Sequence, residues 1–275
     1  MADWPSLYGD CTKTQSFGEF SPATSTKPVQ FNAGSDHDQK GAWAELTTVA
    51  LGGPLAFDAH ALLVTISLNA GIKGLVDVGI GSPPTAIVQN LLVQQPSYQH
   101  CLQFYLPVSA GAAVPISLRC QMSMSGGVAA YGMATAISQG FLPPAGFTAC
   151  ETIGVDTGTT SGTVIDPGAQ ANTKGTAVSV GVLTRPCSSV LLAIGGQAKA
   201  RLTGRYFLDI MLSDGTIVLP DLALAVNSSS DLFGQAAIGP IPLSLPIDNF
   251  IFARAQSSLT TVGTREFELA MYCFG

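Results

Sequence analysis

Leu106-Pro107-Val108-Ser109, then nine residues, then Arg119-Cys120-Gln121: this block recurs as Ile241-Pro242-Leu243-Ser244, nine residues, Arg254-Ala255-Gln256. Proline and arginine stand 12 positions apart in both copies, so the register holds without a gap. Each copy runs on through small and polar residues into a last apolar segment, Tyr131 to Ile137 and Phe267 to Phe274. A repeated block of this length means that one structural unit is used twice. Upstream the correspondence continues: Lys40-Gly41 matches Lys174-Gly175, and Leu62 to Ile66 matches Val190 to Ile194. The strand around Asp77 matches the strand around Asp209, and Gln89-Asn90-Leu91 matches Pro220-Asp221-Leu222.

The 275 residues therefore divide into two units of about 100 residues, each large enough for its own core. Short apolar runs of strand length are separated by Gly, Pro, Asn and Ser, and 30 Gly with 17 Pro would interrupt long helices. The expected fold is all-β: two tandem antiparallel β-sandwich, jelly-roll-like domains related by internal duplication. Residues 37–138 form the first sandwich and 173–275 the second. Residues 1–36 read as an extended N-terminal arm with aromatic anchors Trp4, Tyr8, Phe17, Phe20 and Phe31. Those rings must bury themselves either on the first domain or on a neighbouring subunit. On the second alternative, deleting residues 1–34 leaves both sandwiches folded and blocks assembly. Residues 139–172, rich in Gly, Pro and Thr, read as a linker.

Composition excludes several function classes. Charged residues make up only 11% and the net charge is −6, with no Lys/Arg run. Nucleic-acid binding needs a basic stripe, so none is expected. The apolar runs are far shorter than a spanning helix, so no membrane insertion is expected. Met1-Ala2-Asp3-Trp4-Pro5 has no secretory character, which implies synthesis in a cytoplasm. Hydrophobic residues reach 47%, a surface economy that fits a subunit covered by other copies.

No arrangement in the chain carries catalysis, and no cofactor or metal site is expected. The six cysteines lack C-x-x-C spacing; Cys120 and Cys273 fall in strands and read as buried thiols, with a Cys11–Cys150 pair left open. Asp156-Thr157-Gly158-Thr159 has the lettering of an aspartic-protease loop but no second such loop, and reads as an Asx-type turn. Ser35-Asp36-His37-Asp38 reads as a solvated loop. Asp77 and Asp209, in matched strands, either face solvent or meet an Arg; Arg119 and Arg254 either pair with them across the sheet or mark a binding face. Their matched positions make Pro107, Ser109, Arg119 and Gln121, with Pro242, Ser244, Arg254 and Gln256, structural markers of the repeat.

Lys-Gly, apolar strand, Asp-bearing strand, apolar-Pro-apolar-Ser, nine residues, Arg-x-Gln and a final apolar strand: this order resembles β-sandwich modules in structural proteins of tailed bacteriophages. It covers most of 40–138 and 174–275. Domain one departs from it with Cys120 and Met122 where domain two has Ala255 and Ser257. The resemblance implies a non-enzymatic virion subunit in a fibre, spike, collar or baseplate, or a capsid decoration (cement) protein. It implies a homo-oligomer, with a trimer favoured, and docking on other virion proteins through the arm. The alternative is a module that binds a host surface glycan or receptor, for which Tyr98, His100, Tyr105 and Tyr131 are the aromatic candidates.

Overall fold

The computed structural model describes residues 13–18, 29–68, 73–94, 101–124, 129–138, 150–195, 203–227, 236–258 and 266–275. Most of them lie in antiparallel strands; the helical content among them is one 3-10 turn, Val49–Leu51. No helix among the described residues is long and apolar enough to cross a membrane.

Unit 1 contains β1 (Thr14–Phe17), β2 (Val29–Asn32), β3 (Ala44–Glu45), β4 (Ala59–Leu68), β5 (Lys73–Ile80), β6 (Thr85–Gln94), β7 (Leu102–Ala110), β8 (Ile116–Met122) and β9 (Ala129–Ile137). Unit 2 contains β10 (Cys150–Ile153), β11 (Val155–Asp156), β12 (Ser161–Ile165), β13 (Val178–Val182), β14 (Cys187–Gly195), β15 (Thr203–Leu212), β16 (Ile217–Asn227), β17 (Ala236–Leu245), β18 (Phe250–Ser257) and β19 (Phe267–Phe274). Alternation builds these strands. In β18, Ile251, Ala253 and Ala255 are buried while Phe250, Phe252, Arg254 and Gln256 face out. In β4, Leu62, Val64 and Ile66 are buried between the half-exposed Leu63, Thr65 and Ser67.

Unit 1 closes as two sheets. Sheet 1 has the order β1-β9-β4-β7, with β2 also on β9, and sheet 2 has the order β3-β8-β5-β6. Unit 2 repeats the plan: sheet 3 runs β12-β19-β14-β17 with β10 on β19, and sheet 4 runs β13-β18-β15-β16. Two facing sheets wired in this order form a double-sheet jelly roll. The units match residue by residue. Asp77 lies opposite Arg119 and Asp209 opposite Arg254; Ala61 lies opposite Pro107 and Ser189 opposite Pro242. Pro107 and Pro242 occupy edge strands, where a missing N–H costs no ladder bond.

The pairing corrects the arm and the linker. Residues 14–17 and 29–32 form the edge of sheet 1 against β9, in the register Phe17 to Ala134 and Phe31 to Ala130. Phe17 and Phe31 are buried in the core of unit 1, so these two anchors complete their own sandwich rather than reach a neighbour. Trp4, Tyr8 and Phe20 lie outside the described residues. Residues 150–165 do the same in unit 2: β10 and β12 share β19 as β1 and β2 share β9. Gly18 (φ +71°) and Gly154 (φ +77°) stand at the same break in that edge. A Cβ on Gly18 would lie 3.1 Å from the Gly132 carbonyl oxygen, and one on Gly154 3.0 Å from that of Leu269. The first repeat therefore begins before residue 37 and the second before residue 173.

Candidate functional site: two ion clusters and the junction between the units

The outward face of each β3/β13-type sheet carries a buried carboxylate held by two cations. In unit 1, Lys40 Nζ donates to Asp77 Oδ1 at 2.7 Å and Arg119 Nε to Asp77 Oδ2 at 2.7 Å. The Asn90 amide also donates to Oδ1, at 2.8 Å. In unit 2, Lys174 Nζ donates to Asp209 Oδ1 at 2.6 Å, Arg254 Nε to Oδ2 at 3.0 Å, and the Asp221 amide to Oδ1 at 2.9 Å. Each amide donor sits at a bulge with positive φ, +58° at Asn90 and +47° at Asp221, which turns its N–H toward the carboxylate. The lysines also reach the carbonyls of Leu75 and Phe207. Burial pushes the Asp209 carboxyl up, but hydrogen bonds from Lys174, the Asp221 amide and Arg254 outweigh it and hold it below its ordinary value. Burial draws the Lys40 ammonium down, opposed by Asp77.

With every carboxylate oxygen satisfied by fixed donors, these clusters are latches between strands, not acid–base machinery. The lysines were visible in the sequence as the paired Lys-Gly of each copy, but nothing there joined them to the aspartates. The glycine explains the pair: a Cβ on Gly41 would lie 1.8 Å from the Asn32 carbonyl oxygen, and one on Gly175 2.4 Å from that of Asp166. The chain must cross β2 or β12 closely for the preceding lysine to reach its aspartate. In unit 1, Arg119 is also stacked under Trp43 at 4.4 Å from the ring centre.

The other candidates are spent on local structure. Asp156 accepts from the Gly158 amide at 2.8 Å and the Thr159 hydroxyl at 2.9 Å, an Asx-type turn. In the Ser35–Asp38 loop, His37 Nδ1 lies 3.1 Å from the Ser123 carbonyl and Asp38 accepts from the Thr160 hydroxyl. Among the described residues no group of three metal-ligating side chains converges. Burial pushes the Cys120 thiol up to about 12. Cys187 and Cys273 form a hydrogen-bonded thiol pair, which lowers the Cys187 thiol and raises that of Cys273. Cys150 is a free thiol, and Cys11 lies outside the described residues. So do Tyr98 and His100; Tyr105 and Tyr131 are half-buried on sheet 1.

The outward face of sheet 3 meets one side of unit 1. Leu191, Ala193, Ala270, Tyr272 and Phe274 of sheet 3 point away from their own core and join the core of unit 1. They pack against the side of unit 1 where the edge strands β6 and β7 lie. Tyr272 is fully buried there; its hydroxyl donates to the Asn90 carbonyl at 2.9 Å and accepts from the Leu92 amide at 2.6 Å. One phenol thus satisfies two backbone groups of the edge strand β6. Thr152 donates to the Gln89 carbonyl at 2.7 Å, and Gln121 to the Thr157 carbonyl at 2.8 Å and to Thr160 Oγ1 at 2.9 Å. Lys73 pairs with the buried Glu268. Gln121 is therefore a junction residue, while its repeat partner Gln256 stays half-exposed on sheet 4.

Beside the junction runs an open crevice of about 580 Å³ between β6 and β10, reaching Ser109 and Arg185. Its one carboxylate, Glu151, accepts from the amides of Thr184 and Arg185 and the Thr184 hydroxyl at 2.9–3.1 Å. That arrangement has a counterpart in unit 1, where Gln15 bonds the carbonyls of Gly52 and Pro54 and the Ala56 amide. Glu151 is accordingly a brace for the loop before β14.

No family model matches the chain, and no curated protein matches it. Among solved structures it is similar to PNGF-II, with 11% identity and a TM-score of 0.38 over 96% of this chain and 65% of the other, so it spans just under two thirds of that protein. It is also similar to the CBM22-1–CBM22-2 tandem domain of Paenibacillus barcinonensis Xyn10C, with 9% identity and a TM-score of 0.26 over 96% and 91% of the two chains. A third likeness is to the infectious bursal disease virus Gx strain, with 10% identity and a TM-score of 0.21 over 96% and 71%.

Proposed function

We propose that the chain is a non-enzymatic structural subunit of a virion, of the kind that builds or decorates an exposed part of a tailed-phage particle. The observation that carries this reading is where its few charges go. Nine ionic side chains, Lys40, Asp77, Arg119, Lys174, Asp209, Asp221, Arg254, Lys73 and Glu268, are held in strand latches and in the junction. The outward face of sheet 1 presents the uncharged Leu63, Thr65, Tyr131, Met133 and Thr135, and that of sheet 4 sets Phe207, Met211 and Phe252 around charges already paired with one another. Such faces cost little to desolvate and suit repeated contact with neighbours. A solitary enzyme has no use for them, and none of the carboxylates described above is free to act as acid or base.

Immunogold labelling of purified particles with an antibody against the folded chain tests the reading. Label on the particle surface is expected. Its absence from particles, together with a chain that stays monomeric at 100-micromolar concentrations (~10⁻⁴ M, a loose affinity on the usual scale), would overturn it. Tyr105 and Tyr131 on sheet 1 favour a glycan-binding reading if an array screen returns a saturable ligand that a Tyr131→Ala variant loses.

A further inference from the structure

Unit 2 seals the outer edge of β6, where Tyr272 caps the Asn90 carbonyl and the Leu92 amide and Thr152 caps the Gln89 carbonyl. The sister edge, β16, ends sheet 4, and its one close neighbour among the described strands is β15. Because Gln89-Asn90-Leu91 matches Pro220-Asp221-Leu222, the capped groups correspond to the Asp221 carbonyl and the Ala223 amide, to which no described residue bonds. The ladder shows where these groups point. The Ser258 amide donates to the Arg205 carbonyl, so Arg205 turns toward β18, and Ala225 opposite it turns its N–H and C=O away from β15. Ala223, two residues away, does the same. We propose that β16 pairs antiparallel with β16 of a second copy about a two-fold axis through Ala223, joining two four-stranded sheets into one. The inference rests on the structural-subunit reading and names the edge through which that subunit associates.

The other edges select this occupant by being blunted. β7 carries Pro107, and β17 carries Pro240 and Pro242. β3 has two residues, β1, β2 and β10 have four each, and β13 is bulged between Ser179 and Gly181. β16 runs for 11 residues without a lysine or arginine. Its proline, Pro220, stands at the bulge before Asp221, ahead of the residues that pair. Among the described edge strands, the unblunted partner of like length for β16 is therefore another β16.

Charge complementarity sets the register. With the axis at Ala223, Ala225 of one copy lies opposite Asp221 of the other. Arg205 lies opposite Ala225 on β15; it is exposed and in no ion pair among the described residues. With only an alanine between them, its guanidinium comes within reach of the Asp221 carboxylate of the second copy, a side chain 66% exposed beside Lys174. The two-fold makes this contact twice and sets no like charges against each other. On the backbone, Ala223 N–H donates to the Ala223 carbonyl of the other copy and Ala225 N–H to the Asp221 carbonyl, each again twice. The groups that Tyr272 caps in unit 1 are thus capped in unit 2 by a neighbour's strand.

Native mass spectrometry and light scattering of the purified chain at ~100 μM test this. Wild-type protein is expected at twice the chain mass of 28.3 kDa. Ala223→Pro removes an outward N–H that sheet 4 itself does not use, so it should keep the circular dichroism spectrum and fall to one chain. If it fails to fold, Ala223→Lys, a charge on the exposed edge, should have the same effect. Arg205→Ala should raise the dimer dissociation constant about fivefold. In a Cys101→Ser background, Ala223→Cys should be captured as a dimer by a short bismaleimide, and Val49→Cys, exposed on unit 1, should not. A trimer, an assembly that survives the folded Ala223 variants, an unchanged constant for Arg205→Ala or no capture at position 223 overturns the edge pairing. A chain that is monomeric throughout overturns it too, and the structural-subunit reading then falls only if particles also carry no label.

Discussion

Removing residues 1–34 should unfold unit 1, because it deletes β1 and β2 with Phe17 and Phe31. Both rings are buried, at 0% and 2% exposure. Truncating a buried Phe to Ala costs about 3–5 kcal/mol, so the pair is worth about 6–10 kcal/mol before any strand pairing is counted. A whole domain is stable by about 5–15 kcal/mol, so the loss takes most or all of the margin of unit 1. Phe31 also fills space that nothing else can take: a Cβ on Gly132 would lie 2.9 Å from its ring. Graded variants make the argument quantitative. Phe17→Ala and Phe31→Ala should each lower the melting temperature of unit 1 by roughly 10–20 °C. Scanning calorimetry of the full chain is the assay, with the truncated chain expected to lose one transition outright. The remaining transition should also move down, since Leu191, Tyr272 and Phe274 lose their cover. A truncated chain that melts like the full-length protein would refute the assignment of these residues to the core.

Three further outcomes are expected. Asp209 sits below its ordinary carboxyl value in the fold, so its stabilisation is complete above about pH 4 and is lost as pH falls through the lowered value. Asp209→Asn should cost about 3 kcal/mol at neutral pH and flatten the acid limb of a urea-unfolding series, and an unchanged limb would contradict the latch. Gly18→Ala and Gly154→Ala should each cost about 1–3 kcal/mol in denaturant unfolding, because both force a side chain into positive φ against a carbonyl. A cost at one site alone would break their equivalence. Iodoacetamide should label the exposed Cys101 quickly and leave Cys120 untouched until global unfolding, read by peptide mass spectrometry.

The duplication was legible because the long central strands repeat side chains: proline on an edge, arginine opposite aspartate, lysine before glycine. Each of these residues is fixed by a specific partner, so both copies kept it. The arm and linker hid the rest. Gln15-Ser16-Phe17-Gly18 corresponds to Glu151-Thr152-Ile153-Gly154, and Phe31-Asn32-Ala33-Gly34 to Ile165-Asp166-Pro167-Gly168. In four-residue edge strands only one or two side chains are buried, so the copies share shape and a glycine rather than letters. The junction was not readable at all. It places Tyr272 against the backbone of β6, and a backbone partner leaves no mark on the residue names at its position.

The two copies of the latch-bearing sheet fill the same space from different elements. Sheet 2 carries Gly79 and Ser117 where sheet 4 carries Met211 and Phe252. A Cβ on Gly79 would lie 2.8 Å from the Trp43 ring, so in unit 1 a side chain from the segment before β3 occupies the room over that strand. Counted from Lys40-Gly41 and Lys174-Gly175, the position of Trp43 is Ala177 in the second copy, where the large side chains stand on the strands instead. Bulk is thus traded between a strand and the segment that crosses it, and each trade is tolerated because the total volume over the sheet is kept.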